Sequence, residues 1–214
     1  MKPITVNIEP DDSPEDPSEW AGWRMYSFSD RHGSYKDPEK LGLSLSQGPD
    51  GIPIIQNPGL RQKLDVGLAF WLSYYEHGSC VWALLDQAPK CRFDGTRIAG
   101  LLIWSQKPED MGAKTYETRT KDAEGFLKTY TNYCNGEVYG YRVDDPEGKI
   151  EDAGCWGFYE LDHMFREIKE TTGNREVVFG GRASDLAQYY WPLRKPKTGE
   201  PCYPGTSTLV KGKV

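Results

Sequence analysis

His77, Cys91, Asp94 and Cys155 are the residue types from which a thiol hydrolase is built. Such an enzyme needs a nucleophilic thiol, a base to take its proton and a carboxylate to orient the base, all within hydrogen-bond reach. All four residues lie at or near the ends of segments that read as strands, so folding can bring them together. They also have ordinary uses. His77-Gly78 and Asp94-Gly95 are turn formers, and a cysteine beside a tryptophan in a strand is usually a small core residue. The stronger expectation is that none is catalytic, with these four the candidates if an active site exists.

Ring-bearing side chains are the second chemical resource. Trp71, Tyr74, Tyr75, Trp82, Trp104, Tyr139, Tyr141, Trp156, Phe158 and Tyr159 fall on alternating segments. Successive side chains of a strand point to opposite faces, so half of these rings should leave a one-sided core. Rings outside a core stack nucleobases or anchor protein interfaces. With no basic cluster beside them, a protein interface is the stronger functional choice. If helices or the loops of residues 29–59 cover the second face, it is core as well. The acids Asp144, Asp145 and Glu147, with Glu151 and Asp152, gather at a turn. They either imitate spaced phosphates or decorate a solvated hairpin tip, and they lack the ligand rhythm of a calcium loop. The expected binding surface therefore comprises Tyr75, Trp104, Tyr139, Tyr141, Asp144, Asp145, Glu147, Trp156 and Tyr159. Gly180-Gly181-Arg182 lacks the lysine and hydroxyl of a phosphate loop and reads as a turn. No cofactor is expected.

The elements that position these residues are mixed. Trp23–Phe28 alternates and predicts a first strand. Residues 29–59 are rich in Gly, Pro, Asp and Ser and predict loops, with a short turn at Pro38–Leu41. Val66–Tyr75 and Cys80–Leu85 predict a strand pair around Glu76–Ser79, with a helix over Leu60–Tyr74 left open. Arg97–Ser105 predicts another strand, and Pro108 a helix start. Ala123, Phe126, Leu127, Tyr130 and Cys134 share one face of a helix over Lys121–Cys134 that stops at Asn135-Gly136. Glu137–Val143 and Gly154–Tyr159 predict a hairpin, His163–Thr171 a helix, Arg175–Phe179 a strand and Ser184–Tyr190 a short helix. Strands in adjacent pairs argue for an α+β fold, a twisted, mainly antiparallel, aromatic-rich sheet packed by two to four helices.

The 214 residues, 37% hydrophobic and 27% charged, suit one core and exclude a collagen, a coiled coil or a disulfide mini-scaffold. The most apolar runs, Val66–Leu72 and Ile98–Trp104, are far shorter than the roughly 18–20 residues of a membrane span. A net charge of −6 disfavours direct nucleic-acid binding and suits a basic protein surface. Residues 1–20 carry one base, six acids and four prolines, and read as an extended acidic arm. Residues 194–214 carry five bases and one acid and read as a basic Pro/Gly-rich tail, leaving a single domain over 21–193. Five cysteines without a CxxC pair, and no signal-like start, predict reduced thiols in a cytoplasm. With histidines only at 32, 77 and 163, no zinc site is expected.

Four segments carry a resemblance. Tyr75-Glu76-His77-Gly78, Cys91-Arg92-Phe93-Asp94-Gly95, Gly136-Glu137-Val138-Tyr139-Gly140-Tyr141 and Ala153-Gly154-Cys155-Trp156-Gly157-Phe158-Tyr159 stand in that order. They resemble a family of uncharacterised phage and prophage proteins with the words Y-D-H-S-G, C-x-W-D-S-G, G-D-V-Y-G-F and D-S-C-W-G-F-Y-G, over roughly residues 70–172. Phe93 stands where that family has Trp, and Glu160 where it has Gly. The resemblance implies a phage accessory protein expressed in the cytoplasm of a bacterial host, with no established activity. The function expected is inhibition, by occlusion, of a host nucleic-acid-targeting defence component of the CRISPR or restriction kind. A sponge for a small nucleotide signal ranks second and a Cys–His hydrolase third.

Overall fold

A computed structural model describes residues 2–48, 50–150 and 153–191. The expected basic tail with Cys202, and the acids Glu151 and Asp152, lie outside the described residues. In chain order the elements are β1 (Ile4–Pro10), α1 (Pro17–Trp20), β2 (Trp23–Ser27), β3 (Leu43–Gln47), β4 (Pro53–Ile55), α2 (Pro58–Asp65), β5 (Ala69–His77), β6 (Ser79–Leu84), β7 (Gly95–Trp104) and α3 (Tyr116–Cys134). There follow β8 (Tyr139–Asp144), β9 (Gly154–Phe158), α4 (Leu161–Thr172), β10 (Val177–Gly180) and α5 (Ala187–Tyr190). The class is α+β, and every strand pairing but β1 with β10 is antiparallel.

The expected single domain over 21–193 is instead divided. One compact unit, the central one, is Glu15–Gly136; the other, the terminal one, joins Met1–Pro14 to Glu137–Val214.

In the central unit a sheet of order β2-β7-β5-β6 is covered on both faces. One face sets Trp23, Met25, Phe70, Leu72, Trp82, Leu102 and Trp104 against Ala123, Phe126, Leu127 and Tyr130 of α3. The helical periodicity of those four residues is what aims them inward; Cys134, on the same predicted face, is exposed. α3 begins five residues before the predicted start because Thr115 and Thr118 form a reciprocal capping box. The opposite face packs Ala69 and Leu101 against Leu43 of β3 and Leu60 of α2. Residues 29–59, expected as loops, thus supply the β3–β4 hairpin, and this hairpin and α2 roof the second face.

The same unit half-buries His32. Its Nδ1 shares a hydrogen bond of 2.7 Å with Ser27 Oγ, and its ring lies 4.7 Å from Tyr74 and 5.1 Å from Trp82. Burial disfavours the imidazolium, so its pKa falls below the ordinary 6.5. Well above pH 6.5 neither folded nor unfolded His32 is charged and its contribution is complete. As the pH falls from there, the unfolded chain takes a proton that the folded one refuses, and stability declines. A urea midpoint that drops between pH 7.5 and 5.5, and drops less in His32→Asn, is the expected result.

In the terminal unit the sheet order is β10-β1-β8-β9. Its inner face buries Ile4, Val6, Ile8, Tyr141, Val143 and Phe158 against Met164, Phe165 and Ile168 of α4 and Ala187 of α5. The acidic arm expected over residues 1–20 is therefore corrected. Ile4–Pro10 is an interior strand, parallel to β10 and antiparallel to β8, and Pro17–Trp20 is a helical turn capped by Asp16.

Candidate functional site

Three of the four thiol-hydrolase candidates meet. The β5–β6 turn carries His77 and the segment before β7 carries Cys91 and Asp94. Asp94 Oδ2 lies 3.3 Å from His77 Nδ1 and accepts from the Cys91 thiol at 3.4 Å. Backbone bonds brace the turn: Glu76 N–H donates to the Asp94 carbonyl at 2.9 Å and Gly95 N–H to the Cys91 carbonyl at 3.1 Å. Gly95 is required there, since a Cβ would sit 2.7 Å from the Cys91 carbonyl oxygen.

The order of the three groups opposes nucleophilic catalysis. A cysteine nucleophile gives its proton to an imidazole that a carboxylate orients from behind. Here the carboxylate stands between thiol and imidazole, binding both. Cys155 belongs to the terminal unit, where its partly buried side chain packs against the core and its Sγ reaches the Trp156 carbonyl at 3.8 Å. Burial, and then the Glu167 carboxylate, push its thiol pKa up, away from a reactive thiolate. The arrangement is that of a braced turn. Cys91→Ser is accordingly expected to keep full biological effect, read in the same assay as the parent chain.

The braced turn presents a side chain that the sequence reading passed over. Phe93 is 89% exposed, flanked by exposed Lys90 and Arg92. Four residues further on, at the start of β7, Arg97 donates to both carboxylate oxygens of Asp86 at 2.7 and 3.0 Å. The available signal was the position of Phe93 in a short Pro/Gly-bounded turn, outside any alternating strand. A ring so placed has no sheet face to enter.

Several expected binding residues are internal. Trp104 is buried, its indole N–H donating to the Lys107 carbonyl and its ring edge-on to Trp23. Tyr141 is buried with its hydroxyl donating to Glu167. Asp145, expected at a free acidic tip, is wholly enclosed: it takes both nitrogens of the Arg175 fork, at 2.5 and 2.7 Å, and the backbone N–H groups of Glu147, Lys149 and Ile150. The Arg175 guanidinium, helped by those N–H groups, holds its carboxyl far below the usual range. Glu147 pairs with Lys149 and accepts from the Lys2 backbone. These acids organise the hairpin. Asp144 stays exposed between Arg142 and Asn7. Tyr75, Tyr139 and Tyr159 are half-buried, whereas Trp156 is 53% exposed, its ring laid over Gly140, where a Cβ would come within 2.2 Å of it.

Among the described residues, no cluster of three or more His, Cys, Asp or Glu is arranged to hold a metal ion, and no helix is long and apolar enough to cross a membrane. The chain matches no protein-family model, no curated protein and no solved structure.

Proposed function

We propose that the protein is a binding module that inhibits a nucleic-acid-targeting defence component in the bacterial cytoplasm by occluding its working surface. The observation that carries this reading is Phe93, a nearly naked ring on a turn braced by four contacts within its own unit. Exposing a phenyl ring forgoes about 1.5–3 kcal/mol of burial, which a partner recovers by enclosing it. Bracing adds to that gain, because an anchor already held in place loses little freedom on docking. Lys90 and Arg92 beside the ring suit a pocket with an acidic rim, while the net charge of −6 favours approach to a target whose cleft is basic. The phage resemblance supplies the class of target, and the carboxylate-centred order of Cys91, Asp94 and His77 speaks against the hydrolase.

Phage plating on bacteria that carry a CRISPR or restriction nuclease tests the reading. Expression of the parent chain should raise plaque counts there and leave counts unchanged on hosts lacking the nuclease. Phe93→Ala should remove most of the protection at unchanged protein level. Protection untouched by Phe93→Ala refutes the docking turn. Release of an intact nucleotide from the heat-denatured protein would replace occlusion by sequestration.

A further inference from the structure

The end of α3 lies along the outer edge of β6 and replaces the neighbouring strand that this edge lacks. Asn135 takes the Cys80 N–H on Oδ1 at 2.8 Å and returns Nδ2 to the Cys80 carbonyl at 3.0 Å. One helical turn earlier, Thr131 Oγ1 accepts from the Trp82 N–H at 3.1 Å and reaches the Trp82 carbonyl at 3.5 Å. Two anchor points one turn apart set both the position and the rotation of the helix end against the strand. They place Cys134, the residue before Asn135, beside Cys80, near enough for each thiol to influence the other. Both cysteines are free thiols; Cys80 is buried and Cys134 is exposed, so a small solute reaches the pair from the Cys134 side.

We propose that Cys80 and Cys134 are a site of oxidative modification, a dithiol that closes to a disulfide and ties the start of β6 to the end of α3. The surroundings assign the two roles. Cys80 carries the better thiolate, held below its ordinary pKa by the neighbouring Cys134 thiol, while Cys80 in turn drives the Cys134 thiol up. Glu76 and Tyr74 face the pair from β5, and Tyr130 and Asp16 face it from α3 and from the turn before α1. With hydrogen peroxide as oxidant, the Cys80 thiolate attacks one peroxide oxygen. The S–O bond forms, the O–O bond breaks and the departing hydroxide takes a proton to become water. Cys134 sulfur then attacks the Cys80 sulfenic acid. The S–S bond forms, the S–O bond breaks, and the Cys134 proton leaves with the hydroxyl as a second water. Two thiols are oxidised and one peroxide is reduced to two waters.

The reduced full-length protein, desalted and exposed to stoichiometric peroxide, provides the test. Peptide mass spectrometry without reductant should show a Cys80–Cys134 link and the loss of two titratable thiols. The closed loop restricts the unfolded chain, so the melting temperature should rise on the order of 10 °C, reversibly with dithiothreitol. Cys134→Ala, a change at an exposed position, should abolish the link and the rise, and so should Cys80→Ser; Cys91→Ser and Cys155→Ser should keep both. Independent over-oxidation of the two sulfurs, a link through Cys91 or Cys155 instead, or a rise that survives in Cys134→Ala would overturn the proposal.

Discussion

Removal of residues 1–10 should abolish cooperative folding of the terminal unit. β1 sits between β10 and β8, so its loss leaves each of them with an unpaired row of backbone donors and acceptors. Ile4, Val6 and Ile8 have no exposed surface and form the middle of the inner face against α4. Truncating one of them, as in Ile8→Ala, is expected to cost about 2–5 kcal/mol, a large part of the roughly 5–15 kcal/mol that holds a typical domain folded. The deletion forfeits all three and the ladder bonds besides. Amide hydrogen exchange reads the result directly: protection across β8 and β10 should collapse in the deletion, and fall by an intermediate amount in Ile8→Ala. Unchanged protection of Gly140–Val143 in the deletion would show the strand to be dispensable.

The second large effect is on binding. Phe93→Ala should leave the urea midpoint where it is, since an exposed side chain that fills no space changes stability by no more than about 0.5 kcal/mol. The same truncation should weaken the complex with the target by roughly 30-fold or more, as expected for an aromatic anchor worth at least about 2 kcal/mol. Phe93→Tyr preserves most of the ring area and should retain most of the affinity. Charge reversal at Lys90 and Arg92 should act differently, slowing association and altering its salt dependence more than it speeds dissociation. Calorimetry and stopped-flow mixing with the purified target separate these outcomes. An unaltered Kd for Phe93→Ala would mean that the ring is idle surface.

How far the sequence led can be judged element by element. Alternation placed β2 and β8 within a few residues, because a half-buried strand imposes period two on its own side chains, and apolar runs and turns between them placed β5, β6, β7 and β9. The apolar stripe of α3 and the Pro and Gly stops were equally legible. β1 was not, although Ile4, Val6 and Ile8 alternate in plain view; six acids and four prolines over residues 1–20 made the segment read as an arm. Those signals are local, whereas the burial of β1 depends on strands more than a hundred residues away.

The site shows the same division. Local spacing singled out His77, Cys91 and Asp94, and they do come together. Their residue types do not encode the order in which they bond, and that order, with the carboxylate in the middle, is what turns a hydrolase candidate into a braced turn. Asp145 looked like free charge because Arg175, its partner, lies thirty positions on.

By itself the sequence determined the α+β class, the strand pairs, the inward face of α3 and the surplus of rings over what one sheet face can hold. All of these follow from periodicity and turn chemistry, which act over a few residues. Only the tertiary structure decided that the rings fill two separate interiors, that Trp104 and Tyr141 are sealed while Phe93 and Trp156 are not, and that Cys80 meets Cys134. Burial and encounter are properties of segments distant along the chain, and no short-range pattern records which of them will pack together.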